Sequence, residues 1–388
     1  MRILYFYRVG LPSPRADAIQ IVNTCAAMAR QGAGVDLHVE SLEEAGRARV
    51  LGYYGLDDPG GDGALAFRAM GTHWSWPLFP LRTAGLLRAA GRTGGCLFVR
   101  EVRPYVPGLA ARARRAGMKI LFEAHNVSAS LVREKQSRSG DTGGTGRKLR
   151  ERERLESSIL RLADALVCTQ KATLDALAPS LPKEIPAAVI GNGSRPAPAV
   201  RAETKDIDVL YCGSLKAWKG VDSLVAAMQT LHPWVLTIVG PGTAEDIARL
   251  KQSALAQGVH GRVRILPPVG PSEVWSLYAR AKVGVVPLPS ESSVEARDFT
   301  SPLKLFEMMA SGLPVVSTSL PSIREYLENG REALLVPPDD PRALAYGIRR
   351  ILTEEPLRAS LSAAATERAK EFTWEGRGRR ILELIGRL

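Results

Sequence analysis

The chain has 388 residues, 45% of them hydrophobic, with glycine and proline spread along its length; this is a globular composition with material for more than one core, and about two domains are expected. No apolar run approaches the roughly 20 residues of a membrane-spanning helix. The opening "MRILYFYRVG" lacks the longer apolar region and cleavage site of a secretory leader, so a cytoplasmic protein is expected. A net charge of +12 suits three partners: nucleic acid, an anionic membrane surface or a phosphorylated small molecule.

Cys25, Cys96, Cys168 and Cys212 lie far apart with no C-x-x-C spacing, and three fall in strand-like segments. They read as buried thiols. The five histidines form no H-E-x-x-H arrangement, and no protein-held metal is expected.

In chain order, "RILYFY" (Arg2 to Tyr7) predicts a strand, "ADAIQIVNTCAAMARQG" (Ala16 to Gly32) an amphipathic helix ending at glycine, and "VDLHV" (Val35 to Val39) the next strand. The stretch from Thr72 to Arg92 combines Trp74, Trp76 and Phe79 with arginines; it reads either as core aromatics or as a segment docking at a membrane interface, which would reach a lipid-linked acceptor. "CLFVRE" (Cys96 to Glu101), "KILFEAH" (Lys119 to His125) and "ALVCTQ" (Ala165 to Gln170) continue the strand and helix alternation. Between them, "ARARRAG" and the sign-alternating "RKLRERERLE" carry much of the arginine excess, the second as a solvated helix face. "RSGDTGGTG" (Arg138 to Gly146) reads as a polar Gly-rich loop. His125 would stand at the C-terminal end of a strand, flanked by Glu123 and Asn126.

The prolines and polar residues of "GSRPAPAVRAETKD" (Gly193 to Asp206) predict an interdomain linker. The alternation then restarts with "IDVLYCGSL", "GVDSLVAAMQTL", "WVLTIVG", "EDIARLKQSALAQG", "VRILPPV", "SEVWSLYARA" and "VGVVPL". The expected fold is α/β: two Rossmann-like, doubly wound parallel-sheet domains, 1–192 and 207–370, facing a cleft, joined by the linker 193–206 and followed by a helical segment, 371–388, packing back on the first domain.

One segment concentrates the chemistry. In "FTSPLKLFEMMASGLPVVST" (Phe299 to Thr318), Leu303, Phe306, Met309 and Ala310 recur at helical spacing, "TSP" offers a capping hydroxyl and a first-turn proline, and Gly312 closes the helix before a buried strand. Glu307 borders the apolar face, where a carboxylate is costly without a partner.

These residues resemble the retaining glycosyltransferases of the GT-B fold in family four. "GSLKAWKGVDSLV" resembles the family's G-[RS]-L-x-x-x-K-G turn, "SPLKLFEMMASGLPVVST" its donor-binding helix, "FEAHN" its active-site histidine segment, and "EYLENGREALLVPPDDPRALAYGI" the stretch after the helix. Their order and spacing extend over nearly the whole chain. The resemblance implies a nucleotide-sugar co-substrate and no cofactor. It implies donor contacts from Gly10, Arg15, Gly213, Ser214, Lys219, Ser301, Pro302, Leu303, Lys304 and Glu307, with His125, Lys219 and Glu307 closest to the chemistry. A diphosphate calls for positive charge and backbone amides, which Lys219 and its glycine turn supply. Glu307 would hold the ribose hydroxyls, and His125 would contact the donor sugar near its reacting carbon.

The chain departs from the family at three places. Ser214 replaces the arginine of many relatives, and Lys216 or Lys304 would substitute for its charge. Phe299 occupies the position of a glutamate that grips the sugar in most relatives, with Asp298 and Glu295 nearby. Arg15 and Ala16 replace a Gly-Gly pair, and Arg15 suits either a donor phosphate or an anionic acceptor. The implied reaction moves a sugar from a UDP- or GDP-linked donor to an acceptor hydroxyl with retention, without metal, in envelope polysaccharide or glycolipid assembly or in small-metabolite chemistry. The lost glutamate and glycines equally suit a non-catalytic nucleotide-sugar sensor. The absence of aromatic-basic platforms argues against nucleic acid.

Overall fold

The strand-like runs are apolar on both faces, as a sheet covered by helices on each side requires, and the chain folds accordingly. A computed structural model describes residues 1–43, 46–60, 64–71, 78–128, 130, 143–181, 184–198, 204–290 and 294–388. Trp74 and Trp76, most of the Gly-rich stretch at 138–146, and 199–203 of the expected linker lie outside the described residues. The chain divides into two units, one formed by Met1–Gly191 with Trp374–Leu388 and the other by Asn192–Thr373.

In the first unit the strands are β1 (Arg2–Phe6), β2 (Gly10–Leu11), β3 (Gly34–Val39), β4 (Ser41–Leu42), β5 (Leu65–Ala69), β6 (Cys96–Val99), β7 (Lys119–Ala124), β8 (Ala165–Cys168) and β9 (Ala187–Val189). Seven form a parallel sheet in the order β5-β3-β1-β6-β7-β8-β9, and β2 pairs with β4 apart from it. Ile3 of β1 stands opposite Val35 on one side and Cys96 on the other, so the strand order reverses between β1 and β6. Tyr5 stacks on Phe98 at 4.4 Å inside this sheet.

The helix Ala16–Arg30 turns Ile21, Val22, Cys25 and Met28 inward, and the C-terminal helix Trp374–Gly386 packs along it. Gly378 permits that approach: a side chain there would start 3.0 Å from the Ala27 Cβ. Ile381, Leu384 and Ile385 then join the same core as Ile3 and Ile21.

The second unit contains β10 (Ile207–Cys212), β11 (Leu236–Val239), β12 (Val263–Leu266), β13 (Ala281–Val286), β14 (Val315–Thr318) and β15 (Leu334–Val336). They form a six-stranded parallel sheet in the order β12-β11-β10-β13-β14-β15, reversing between β10 and β13. One face carries Phe306, Met308 and Leu313, the other Leu224, Leu344 and Ile348. Both sheets are therefore doubly wound Rossmann-like layers. All four cysteines are buried thiols. No helix among the described residues is long and apolar enough to cross a membrane.

Several elements were not expected. β5 has an Arg on an edge strand, where its solvated side chain pairs with Asp36 at 3.0 Å. The helix Glu355–Ala369 has little amphipathic contrast for sequence to show, though Leu361 and Ala365 are buried. Ser194, within the expected linker, instead bridges Thr373 inside the second unit.

Ile381→Ala should destabilise the protein by about 2–5 kcal/mol through the cavity it opens, measured by urea unfolding. Leu81→Ala, at a position 73% exposed, should stay within about 0.5 kcal/mol of the wild type.

Candidate active site

Ligands of open α/β sheets bind beyond the strand C-termini where strand order reverses. In the second unit that place lies past β10 and β13, and of the predicted donor residues Gly213, Ser214, Lys219, Lys304 and Glu307 stand there, while Gly10 and Arg15 belong to the first unit. β10 ends at Cys212, and Gly213 turns the chain at φ 145°. The chain continues through Ser214 into a short 3-10 turn, Ala217–Lys219, ended by Gly220. Gly220 has φ 73°, and a Cβ there would fall 1.7 Å from the Pro287 carbonyl oxygen. Only glycine lets this turn close against the end of β13.

Two ammonium groups meet at the turn. Lys219 Nζ lies 3.6 Å from the centre of the Trp218 ring, and Lys304 Nζ lies 3.8 Å from that of Tyr211. A side chain on Gly213 would start 2.6 Å from Lys304 Nζ, so the glycine makes room for the cation. The Tyr211 hydroxyl donates to the Ser214 carbonyl at 2.7 Å and fixes the turn from below. Among the described residues neither ammonium has a carboxylate within 4.0 Å; each rests on an aromatic face. Burial, with Lys219 as a neighbouring positive charge, lowers Lys304 to about 7. Burial lowers Lys219 to about 8, with Glu295 opposing and Lys216 reinforcing the shift. Such a pair gains from any dianion brought to it.

Glu307 is on the helix Leu303–Ala310, one turn beyond Lys304. Its Oε2 accepts from the Tyr278 hydroxyl at 2.9 Å, leaving Oε1 for a ligand. Burial raises the carboxyl above its ordinary value, while the Tyr278 hydrogen bond, Arg195 and Lys304 favour its charged form. Arg195 sits 5.2 Å over the Trp275 ring. Neither Tyr278 nor Arg195 was among the predicted site residues; Arg195 lies in the stretch read as a linker.

The expected hydroxyl cap of this helix is absent. Pro302 is itself the N-cap, and no side chain caps the first turn. The Ser301 hydroxyl instead accepts from the Asn192 backbone amide at 3.1 Å and the Tyr326 hydroxyl at 2.9 Å, and the Ser301 carbonyl accepts from Asn192 Nδ2 at 2.7 Å. The Leu303 and Lys304 amides stand ahead of the helical ladder, which the Leu305 amide opens by donating to the Pro302 carbonyl at 3.0 Å. Asp298 pairs with Arg297 at 2.8 Å within a π-helical turn, Glu295–Phe299, and Phe299 is buried.

The first unit gathers a second cluster at its own reversal point. Glu123, fully buried near the end of β7, accepts at Oε1 from His125 Nε2 (2.7 Å) and Gln20 Nε2 (2.9 Å), and at Oε2 from the Tyr5 hydroxyl (3.3 Å). Arg377 of the C-terminal helix also donates to Oε1. Burial would raise this carboxyl, yet Arg377, His125 and Arg100 hold it well below the usual range. Burial and Arg100 lower His125 to about 4 against the opposing pull of Glu123, so the ring is neutral at pH 7. Arg100, at the end of β6, donates to Gln20 and lies 5.3 Å over the Tyr7 ring. Arg15 is paired with Asp17, which also accepts from the Tyr7 hydroxyl at 2.6 Å and the Ala18 amide at 2.8 Å. Gly10 lies in β2 against Ser41, and Asn126 follows His125 half-buried.

After reductive methylation with 13C-formaldehyde, the Lys304 and Lys219 signals should titrate near 7 and 8, well below the roughly 10.4 of a solvated lysine. Lys304→Arg and Lys219→Arg assign them. Titration alongside the surface lysines would refute the environment described.

Comparison with known proteins places this architecture. Residues 206–354 match the family described as "Glycosyl transferases group 1". The D-inositol 3-phosphate glycosyltransferase of Corynebacterium urealyticum is 28% identical over 183 residues, covering 45% of this chain and 41% of that protein. The chain thus aligns with about two fifths of the length of such curated relatives. Among solved structures, sucrose-phosphate synthase of Thermosynechococcus elongatus superposes with a TM-score of 0.73 at 20% identity, covering 100% of this chain and 98% of that one. HepE of Anabaena, in complex with UDP-glucose, gives 0.73 at 17% identity with 100% of both chains covered. Residues 206–354 thus carry the match to the group 1 glycosyltransferases, and the chain has two Rossmann-like sheets in the GT-B arrangement.

Proposed function

We propose that the protein is a retaining glycosyltransferase that moves a sugar from a nucleoside diphosphate donor, UDP-linked before GDP-linked, to an acceptor hydroxyl. The carrying observation is the pair of ammonium groups, Lys219 and Lys304, seated on aromatic rings beside a helix N-terminus with Glu307 one turn away. Two cations and first-turn amides suit a diphosphate. A half-buried carboxylate with one oxygen unspent suits two vicinal ribose hydroxyls. The complex of HepE with UDP-glucose supports the same donor class.

In this reading the acceptor oxygen attacks the anomeric carbon from the face the diphosphate leaves. The carbon–oxygen bond to phosphate breaks as the bond to the acceptor forms, and the acceptor proton passes to a departing phosphate oxygen. Lys219, Lys304 and the amides stabilise the charge that grows on that oxygen. His125 is assigned to the reacting sugar, and the residues of this chain supply charge without a protein-held metal. Ser301 and Asp298, engaged within the protein, contribute shape rather than direct donor contacts.

The acceptor is assigned to the first unit, near Arg15, Arg100 and Asn126. The helices Leu78–Gly91 and Tyr105–Arg115 carry Arg82, Arg88, Arg112, Arg114 and Arg115 with no acidic residue, and Leu81 is exposed. This favours an anionic, lipid-linked acceptor and peripheral contact with a membrane surface.

Calorimetric titration should give micromolar-range binding to UDP in preference to GDP. Glu307→Ala, with unchanged thermal unfolding, should weaken binding roughly 10- to 100-fold, the loss of about 1.5–3 kcal/mol from hydrogen bonds to a charged group. Binding to neither nucleotide by folded protein would end this reading.

The lysines add a pH signature. Both have lowered values, and a bound diphosphate favours their charged forms. UDP is fully ionised at pH 8, where binding should take up on the order of one proton, seen by comparing buffers of different ionisation enthalpy. Uptake should vanish near pH 6, and Lys304→Met should abolish most of it.

A further inference from the structure

The buried cluster of the first unit has a feature that donor binding does not explain. Arg377 is 1% exposed and Glu123 fully buried, and they are joined as an ion pair. The guanidinium engages four acceptors: Nη2 donates to Glu123, Nε to the Thr24 hydroxyl at 3.0 Å, and Nη1 to the carbonyls of Ile190 and Gly191. A fork with these acceptors on several sides cannot swing away from the carboxylate.

This bears on His125, a member of the cluster that reaches the surface with its side chain 21% exposed. Its Nε2 lies 2.7 Å from Glu123 Oε1. An ionised carboxylate only accepts, so Nε2 must carry hydrogen. With Nε2–H committed, Nδ1 of a neutral ring is an acceptor, and among the described residues it has no hydrogen-bond partner. Also facing the pair are Arg100, Tyr5, Gln20 and the thiols of Cys25 and Cys168, which burial and Glu123 push up; Arg100 disfavours a second proton on the ring, while Tyr5 and Gln20 donate to the carboxylate.

We propose that Arg377 is a positioning residue for His125: by keeping Glu123 ionised and stationary it fixes the imidazole as the Nε2–H tautomer and presents Nδ1 as an acceptor for a sugar hydroxyl. The last clause rests on the glycosyl-transfer reading; the tautomer assignment does not. Without the guanidinium, the buried carboxylate must find a proton elsewhere. Either the ring becomes imidazolium, or Glu123 protonates and donates to Nε2, which reverses the tautomer. Both remove the acceptor at Nδ1.

The test is 15N-edited NMR of histidine-labelled full-length protein, in which only five histidines contribute; His125→Gln assigns the signal. The wild type should show a neutral Nε2–H ring at pH 7. In Arg377→Met the signal should change to imidazolium or to the Nδ1–H form. Arg377→Lys, which keeps the charge, should restore much of the wild-type pattern. A wild-type ring found as Nδ1–H or imidazolium overturns the proposal, as does an unchanged His125 signal in folded Arg377→Met. Should that variant fail to fold, the wild-type tautomer alone decides.

Activity gives a separate readout. Arg377 and the donor lysines lie in different units, so UDP affinity in Arg377→Met should remain within about twofold, while kcat falls tenfold or more. Failure of the wild type to bind nucleotide would remove the transfer reading and leave the tautomer result standing by itself.

Discussion

A carboxylate with no exposed surface at the end of a central strand is intolerable without a partner, and Glu123 finds its cation 254 residues further along the chain. Much of the first unit follows from that constraint. The C-terminal helix must lie on the helix Ala16–Arg30 to deliver Arg377, and Gly378 must lack a side chain for the two to approach. Tyr5 and Gln20 must face the carboxylate. Breaking such a pair by removing one partner leaves an uncompensated buried charge, a larger loss than most single contacts represent.

The second unit handles charge in the opposite way. Its two lysines are seated on aromatic rings, and Glu307 retains an unused oxygen. One unit therefore pairs its buried carboxylate within the protein, whereas the other is left with unspent charge. Preorganised but uncompensated groups of this kind are stabilised by a ligand of opposite charge. The same sheet topology thus hosts a carboxylate paired within the protein in one unit and two ammonium groups resting on aromatic rings in the other. Side chains determine the difference.

Legibility in sequence followed the range of the interactions. The glycine turn at Gly213 to Gly220 and the helix bearing Lys304 and Glu307 are local patterns, and their elements could be located from residue order alone. The alternation of apolar runs and amphipathic stretches similarly indicated two parallel sheets. The partners of those residues were invisible because they are remote. Nothing near Glu123 in the chain points to Arg377. Nothing near Ser301 shows that its hydroxyl will be taken by Asn192 and Tyr326, so a serine beside a donor-type helix looked available for a ligand. Arg195 was misread for a related reason. A run of prolines and polar residues resembles a linker whether or not one of its members folds back onto Trp275.

The placement of Trp374–Leu388 in the first unit also bears on how the protein is made. During synthesis Glu123 leaves the ribosome long before Arg377 exists, so the nascent first unit holds a central carboxylate without its cation and an uncovered helix face at Ile21 and Cys25. The second unit, Asn192–Thr373, is continuous and can complete its sheet as soon as its last strand and helices emerge. The part begun first is thus the part finished last. Until the helix Trp374–Gly386 is released, the first unit keeps an uncovered apolar helix face of the kind chaperones bind.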